Sequence, residues 1–187
     1  MEILKKKYQV ILSRLEQQRE ESRRLWNIGQ ETVDFLALLL KLKKPKNILE
    51  LGTSNGYSAF WIATITEDFA SSIETIECDE ERYNMAKENL ATISNIKIHF
   101  AKAEEIIPNL ENNYDFVFID ANKEQYHHYL DLLIPKLNDQ ALIVADNVLS
   151  HQHSVKLFSK KLHNNHNFDS ITIPIESGLE VAIYNSF

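Results

Sequence analysis

Apolar positions along the chain change their spacing several times, and each change marks an element. Over residues 2–24, Ile3, Leu4, Tyr8, Ile11, Leu12 and Leu15 recur at helical spacing among dense charge. This predicts an amphipathic helix whose stripe packs on the domain or on a second subunit. Gly29 and Thr32 then precede Val33, Phe35, Leu36, Leu38, Leu39 and Leu40, a strongly apolar helix ending in the polar run 41–46, which Pro45 interrupts. From residue 47 the texture alters. Ile48, Leu49 and Leu51 suit a buried parallel strand, Gly52 and Gly56 follow in a turn, and residues 57–64 read as a helix. Apolar runs at 72–78, 96–100, 114–120 and 141–146 predict four more strands. Helices are expected at 80–90, 103–110, 126–137 and 153–163. Strands alternating with helices require parallel pairing through right-handed crossovers, so the fold class is α/β. The end breaks the alternation: 170–174 and 179–184 read as two strands with a hairpin-like connection through Glu176, Ser177 and Gly178.

Length and charge narrow the picture. The 187 residues fit one domain, with N-terminal helices over 1–44 packing on a core over 45–187. A formal charge of -7 argues against a broad phosphate-binding face and favours small or neutral partners, although a locally recognised RNA stays possible. The lysines of 41–46 have no interleaved aromatic residues and read as a solvated helix end. Cys78 is the single cysteine, which excludes an intramolecular disulfide and a cysteine-based zinc site and fits a reducing, intracellular setting. Residues 1–7 lack the apolar core of a signal peptide, and no apolar run approaches the ~20 residues of a membrane span. A cytoplasmic location is expected.

Candidate chemistry collects at the ends of the strands. In open α/β sheets ligands bind beyond the carboxyl ends, where the loop after the first strand and the N–H groups of the next helix face them. Glu77, at the end of the second strand, is placed to accept both hydroxyls of a ribose, with Asp79 capping the following helix. Two later strands end alike, in Asp120 and in Asp146-Asn147. On neighbouring strands ~4.8 Å apart these side chains converge on one ion. Two carboxylates and an amide oxygen form a hard donor set suited to Mg²⁺, Mn²⁺ or Ca²⁺ rather than Zn²⁺. Lys123 leaves the same strand end, and beside a divalent cation its ammonium is disfavoured, which suits a general base. His127, His128, His151 and His153 show no metal spacing with a cysteine and read as solvent-exposed. Ser54 and Ser58 have no sequence-local histidine and acid to suggest a hydrolase.

In ordered combination, Glu50-Leu-Gly-Thr-Ser-Asn-Gly-Tyr-Ser58, Thr75-Ile-Glu77, Phe116-Val-Phe-Ile-Asp-Ala-Asn-Lys123 with Tyr126, and Ala145-Asp-Asn-Val148 resemble the cation-dependent O-methyltransferases. That group contains the catechol and caffeoyl-CoA O-methyltransferases and many small bacterial relatives. The resemblance spans about residues 28–184 and implies the class I S-adenosylmethionine-dependent methyltransferase fold, Rossmann-like. Its sheet has seven mostly parallel strands, an antiparallel C-terminal strand, and helices on both faces. It further implies that Glu50, Gly52, Thr53 and Ser58 hold the methionine end of the cofactor, that Glu77 takes the ribose, and that Ala103 lies at the adenine. Ile28 contributes a backbone contact to the cofactor. Asp120, Asp146 and Asn147 match the metal ligands, Asp120 also bordering the cofactor, and Lys123 matches the proposed base.

The chain departs from the family in three places. Asn122 stands where the caffeoyl-CoA branch has Asp. An ungapped count places Ile171 where the catechol branch has a substrate-binding Glu, which argues against catechol itself. The N-terminal region is short. The function expected is methyl transfer from S-adenosylmethionine to a hydroxyl of a small phenolic or catechol-like acceptor with a divalent cation, Mg²⁺ foremost, in a possible homodimer. Alternatives are a tRNA hydroxyuridine O-methyltransferase, a nicotinamide-dependent Rossmann oxidoreductase and a non-catalytic cofactor-binding module.

Overall fold

A seven-stranded sheet carries the molecule. The computed structural model describes residues 2–186, apart from the side chain of Arg23. The strands are β1 (Asn47–Leu51), β2 (Ser72–Glu77), β3 (Ile96–Phe100), β4 (Tyr114–Ile119), β5 (Leu137–Ala145), β6 (Phe168–Ile173) and β7 (Leu179–Tyr184). They lie in the order β3-β2-β1-β4-β5-β7-β6. β1 to β5 pair in parallel, and β7 runs antiparallel to both β5 and β6, as the resemblance implied. Strand order reverses between β1 and β4, and a sheet of this kind opens its ligand crevice at that switch.

Alternation along the strands divides the interior into two cores. Phe116 and Phe118 of β4 join one, with Leu36, Leu40, Phe60 and Trp61; Val117 and Ile119 join the other, with Tyr126, Leu130 and Phe158. Helices α3 (Gln30–Lys43) and α4 (Tyr57–Ile65) cover the first face. All nine residues of α4 are buried, so it is apolar around its whole circumference rather than striped. Helices α7 (Tyr126–Leu133) and α8 (Gln152–Asn164) cover the second. α5 (Glu80–Asn89) starts at Asp79, whose side chain accepts the Arg82 N–H, as the sequence predicted.

Several expected elements are broken or moved. The helix expected over 2–24 is two helices, α1 (Glu2–Lys7) and α2 (Gln9–Glu21), followed by a 3₁₀ turn at Arg23–Leu25. Tyr8 leaves helical geometry at the joint, where its ring meets Phe60 edge-on and its hydroxyl, with Lys7, reaches Glu67. Leu12 and Leu15 are buried and Leu4, Tyr8 and Ile11 pack beside them, whereas Ile3 is 84% exposed, so the stripe docks on its own domain over most of its length. The helix expected over 126–137 ends at Leu133. Pro135 follows within a 3₁₀ turn, Ile134–Lys136, because proline lacks the N–H that a further helical turn requires. β5 accordingly begins at Leu137, with a register shift against β4 between Tyr114 and Phe116. Pro108 likewise sits in a 3₁₀ turn, Ile107–Asn109, which leaves α6 as the short Ala103–Ile106. No helix among the described residues is long and apolar enough to cross a membrane.

Candidate active site

The carboxyl ends of β1, β2, β4 and β5 open into one cleft of about 690 Å³. Gly52, Ser58, Glu77, Ala103, Asp120 and Lys123 line it, as do Ile28 and Asn147. Each aspartate is the first residue past its strand. The Asp120 N–H donates to the Leu51 carbonyl (2.8 Å) and the Asp146 N–H to the Ile119 carbonyl (2.9 Å), so the ladder holds both in place. Ile119 and Ala145 are partners in the parallel register, which makes Asp120 and Asp146 neighbours. Gly52 is required where the turn after β1 passes the end of β4. Its φ is +97°, and a Cβ there would lie 2.1 Å from the Asp120 carbonyl oxygen.

On the β1–β2 side Glu77 is held by donors of the protein itself, whereas Glu50 keeps one oxygen unpartnered. Glu77 is buried, and its Oε1 accepts the N–H groups of Cys78 and Asp79 (both 2.9 Å) while Oε2 accepts that of Ser54 (2.8 Å). Three backbone donors fix its orientation and leave one lone-pair site, on Oε2, free for a ligand hydroxyl. Glu50 is fully buried. Burial pushes its carboxyl up to about 8, against the opposing pull of the Ser58 and Thr75 hydroxyls. Thr75 donates to Oε2 at 2.5 Å and also meets Thr53 at 2.6 Å. Oε1 has no hydrogen-bond partner. An orphaned, dehydrated carboxylate oxygen suits a cationic donor such as an ammonium. Thr53 itself does not line the cleft and serves by bracing Thr75.

On the β4–β5 side negative charge is less well compensated. Asp146 is buried; burial and the charge of Asp120 push its acid up to about 7, opposed by the Asn147 N–H and by Lys123. That N–H lies 2.7 Å from Asp146 Oδ1. Lys123 Nζ stands 2.8 Å from Asp120 Oδ1 in a largely sheltered ion pair. Tyr126 ties the two strand ends together, its hydroxyl shared between the carbonyls of Ile119 and Asp146 at 3.2 Å each. Among the described residues no group of three or more His, Cys, Asp or Glu side chains forms a metal site. The available set is therefore two carboxylates and the Asn147 amide, which still fits a hard divalent cation that keeps part of its water shell. Asn122, where the caffeoyl-CoA branch has Asp, caps the 3₁₀ turn Lys123–Gln125 by accepting the Glu124 N–H at 3.2 Å. Its position is thus used to set the turn that carries Lys123.

Other participants were not visible in the sequence pattern. Glu176, in the turn between β6 and β7, accepts the N–H groups of Gly29 (2.9 Å) and Glu31 (3.1 Å) and the Thr32 hydroxyl (2.9 Å), capping α3. A Cβ on Gly29 would lie 1.9 Å from that carboxylate. Gln18 of α2 joins Asn55 of the turn after β1 (3.0 Å) and Asn89 of α5 (2.8 Å), buttressing the cofactor-side loop from behind. These pairings bridge 144 or more and 37 or more residues of chain, beyond the reach of any local motif. Ile171 lies on the edge strand β6, 61% exposed and outside the cleft, so it makes no wall of this site. His128, His151 and His153 are exposed as expected and His127 is half-buried; His151 also borders the cleft.

Comparisons with known proteins agree with this geometry. The model of the O-methyltransferase family matches residues 5–180. Catechol O-methyltransferase of Niastella koreensis is 38% identical over 122 residues, covering 62% of this chain and 55% of that protein. Caffeoyl-CoA O-methyltransferase of Medicago sativa is 33% identical over 137 residues, covering 66% and 55%. The chain spans about half the length of the curated relatives it matches. Among solved structures, the SAH-bound Podospora anserina methyltransferase PaMTH1 superposes with a TM-score of 0.86 at 21% identity, covering 94% of this chain and 88% of that one. The O-methyltransferase TomG from Streptomyces achromogenes, in complex with SAM, gives 0.79 at 24% identity, covering 86% and 82%. At such identities the likeness establishes the fold, which is that of the class I S-adenosylmethionine-dependent methyltransferases. With nearly the whole length under the family model, the chain belongs to the O-methyltransferase family.

Proposed function

We propose that the protein transfers the methyl group of S-adenosylmethionine to a hydroxyl of a small phenolic or catechol-like acceptor, with a divalent cation held by Asp120, Asp146 and Asn147. One observation carries this reading: the two aspartates end neighbouring parallel strands, and Asp120, its ion-pair partner Lys123 and Asn147 line the cleft that Glu77 also lines, while Asp146 is buried next to them in the register.

When bound, the cofactor supplies an electrophilic sulfonium methyl, and the cation would favour the ionised form of the acceptor hydroxyl. The residues of the chain bind and orient. Glu77 accepts a ribose hydroxyl on the one lone-pair site of Oε2 that its three backbone donors leave free. Glu50, fully buried and not itself part of the cleft wall, has its unpartnered Oε1 available to the ammonium of the methionine end, where Gly52 and Ser58 form the wall. Ala103 and Ile28, both small or apolar and buried, border the cofactor at the adenine and along the strap before α3. Lys123, whose Nζ stands 2.8 Å from Asp120 Oδ1, is the group placed to take the acceptor proton, which it does as the neutral amine after giving a proton of its own to solvent. Holding acceptor and methyl donor in line contributes through positioning.

A nicotinamide-dependent oxidoreductase is disfavoured because the turn after β1 lacks the Gly-x-Gly-x-x-Gly spacing and hydride transfer gives Asp146 and Asn147 no role. Calorimetry with S-adenosylhomocysteine and with NAD, followed by a methyl-transfer screen on hydroxylated aromatics and modified nucleosides, tests the proposal. Heat on S-adenosylhomocysteine alone and methylation of a phenol are expected. Binding of NAD, or S-adenosylhomocysteine binding without transfer to any hydroxyl, overturns it.

A further inference from the structure

The segment between α2 and α3 crosses the cofactor side of the cleft, and one of its residues has no part in the chemistry above. Leu25, Trp26, Asn27 and Ile28 all line the cleft. The segment is tied down at both ends. At one, the Ser54 hydroxyl donates to the Leu25 carbonyl at 2.8 Å, and the same Ser54 gives its N–H to Glu77. At the other, Glu176 holds Gly29 and the first turn of α3.

Between these anchors Trp26 adopts a left-handed backbone conformation, φ 46° and ψ 39°, which a bulky residue rarely takes. Its indole is 67% exposed. The Arg82 guanidinium lies over the ring, 5.0 Å from its centroid. Arg82 sits on α5, five residues beyond Glu77, and it too lines the cleft. A strained backbone that presents a large aromatic surface mostly to solvent is uneconomical for folding alone, since burying the indole elsewhere would be more favourable. The pair instead links the segment before α3 to α5 within the cleft lining, to which Glu77 also belongs.

We propose that Trp26 and Arg82 form a clasp on the ribose and adenine side of the cleft, closing over the bound nucleoside and setting how long it stays. The clasp rests on the cofactor reading given above. A π-face and a planar cation are both suited to stacking with a purine or covering a ribose. Covering the indole also removes it from water, which gives the event an optical signature. Trp61, the other tryptophan, is 1% exposed within the core, so Trp26 is the one that responds.

Tryptophan emission and stopped-flow release, with S-adenosylhomocysteine as the probe, test the clasp in the full chain. In the wild type, binding shifts or quenches the emission. Trp26→Phe abolishes that optical change, and Arg82→Gln and Trp26→Ala speed release about tenfold, while thermal melts stay near the wild type because both residues are at the surface. Unaltered emission on saturation by calorimetry, or release rates equal to the wild type in both Arg82→Gln and Trp26→Ala, overturns the clasp and leaves the cofactor assignment standing. Absence of S-adenosylhomocysteine binding to the wild type overturns both.

Discussion

Two strand-end acids, Glu77 on the β1–β2 side and Asp146 on the β4–β5 side, differ in how completely the chain satisfies their hydrogen-bonding needs. On the β1–β2 side, Glu77 is held by three backbone N–H groups before any ligand arrives. On the β4–β5 side, Asp146 has one backbone donor and a like-charged neighbour, and its acid is pushed up to about 7. On the first side Glu77 is a preorganised acceptor for a neutral hydroxyl, and Glu50 keeps one oxygen unpartnered. On the second side Lys123 pairs with Asp120, and Asp146 keeps a like-charged neighbour. The difference follows from where each acid sits. Glu77 precedes a turn whose successive N–H groups point back at it, whereas Asp120 and Asp146 follow central strands whose N–H groups are already used in the ladder.

Substitutions on the two sides should therefore fail in different ways. The largest effect is expected at Lys123. Lys123→Ala removes the proton acceptor and lowers turnover ~10²-fold or more, while the affinity for S-adenosylhomocysteine stays close to the wild type. Steady-state rates beside calorimetry decide it; loss of cofactor binding with turnover retained at saturation would make Lys123 a cofactor-positioning residue. A smaller effect, confined to binding, is expected on the other side. Glu77→Ala weakens S-adenosylhomocysteine by ~1.5–3 kcal/mol, the scale of hydrogen bonds to a charged group. Unchanged affinity in a folded variant removes Glu77 from the ribose.

The contrast also marks what the sequence made legible. The parallel core and the placing of Glu77, Asp120 and Asp146 at strand ends follow from local apolar runs that stop at a polar residue, the antiparallel last strand was implied by the family resemblance, and all are present. Helix ends near Pro108 and Pro135 were misjudged because the apolar spacing continues through the proline although the hydrogen-bond pattern does not. Contacts that depend on the assembled fold left no local trace. Glu176 reads as a turn residue until β7 inserts between β5 and β6 and brings that turn to α3. Gln18 reads as one polar position on a helix until α2 docks behind the turn containing Asn55. Asn122 stands out in sequence as a departure from the caffeoyl-CoA branch, and only its cap on the Lys123 turn shows what the amide does.

The central claim is that the β4–β5 side of the cleft works with a divalent cation, and its most direct test is methyl transfer by protein stripped with EDTA and verified metal-free. Activity should fall to a small residue and return with Mg²⁺ or Mn²⁺, and Asp146→Ala should blunt that return more than a change at the Asn147 amide, because a hard cation binds through charge first. Transfer at the full rate by the metal-free wild type would contradict the account and leave Asp120, Asp146 and Asn147 as structural residues of the strand ends.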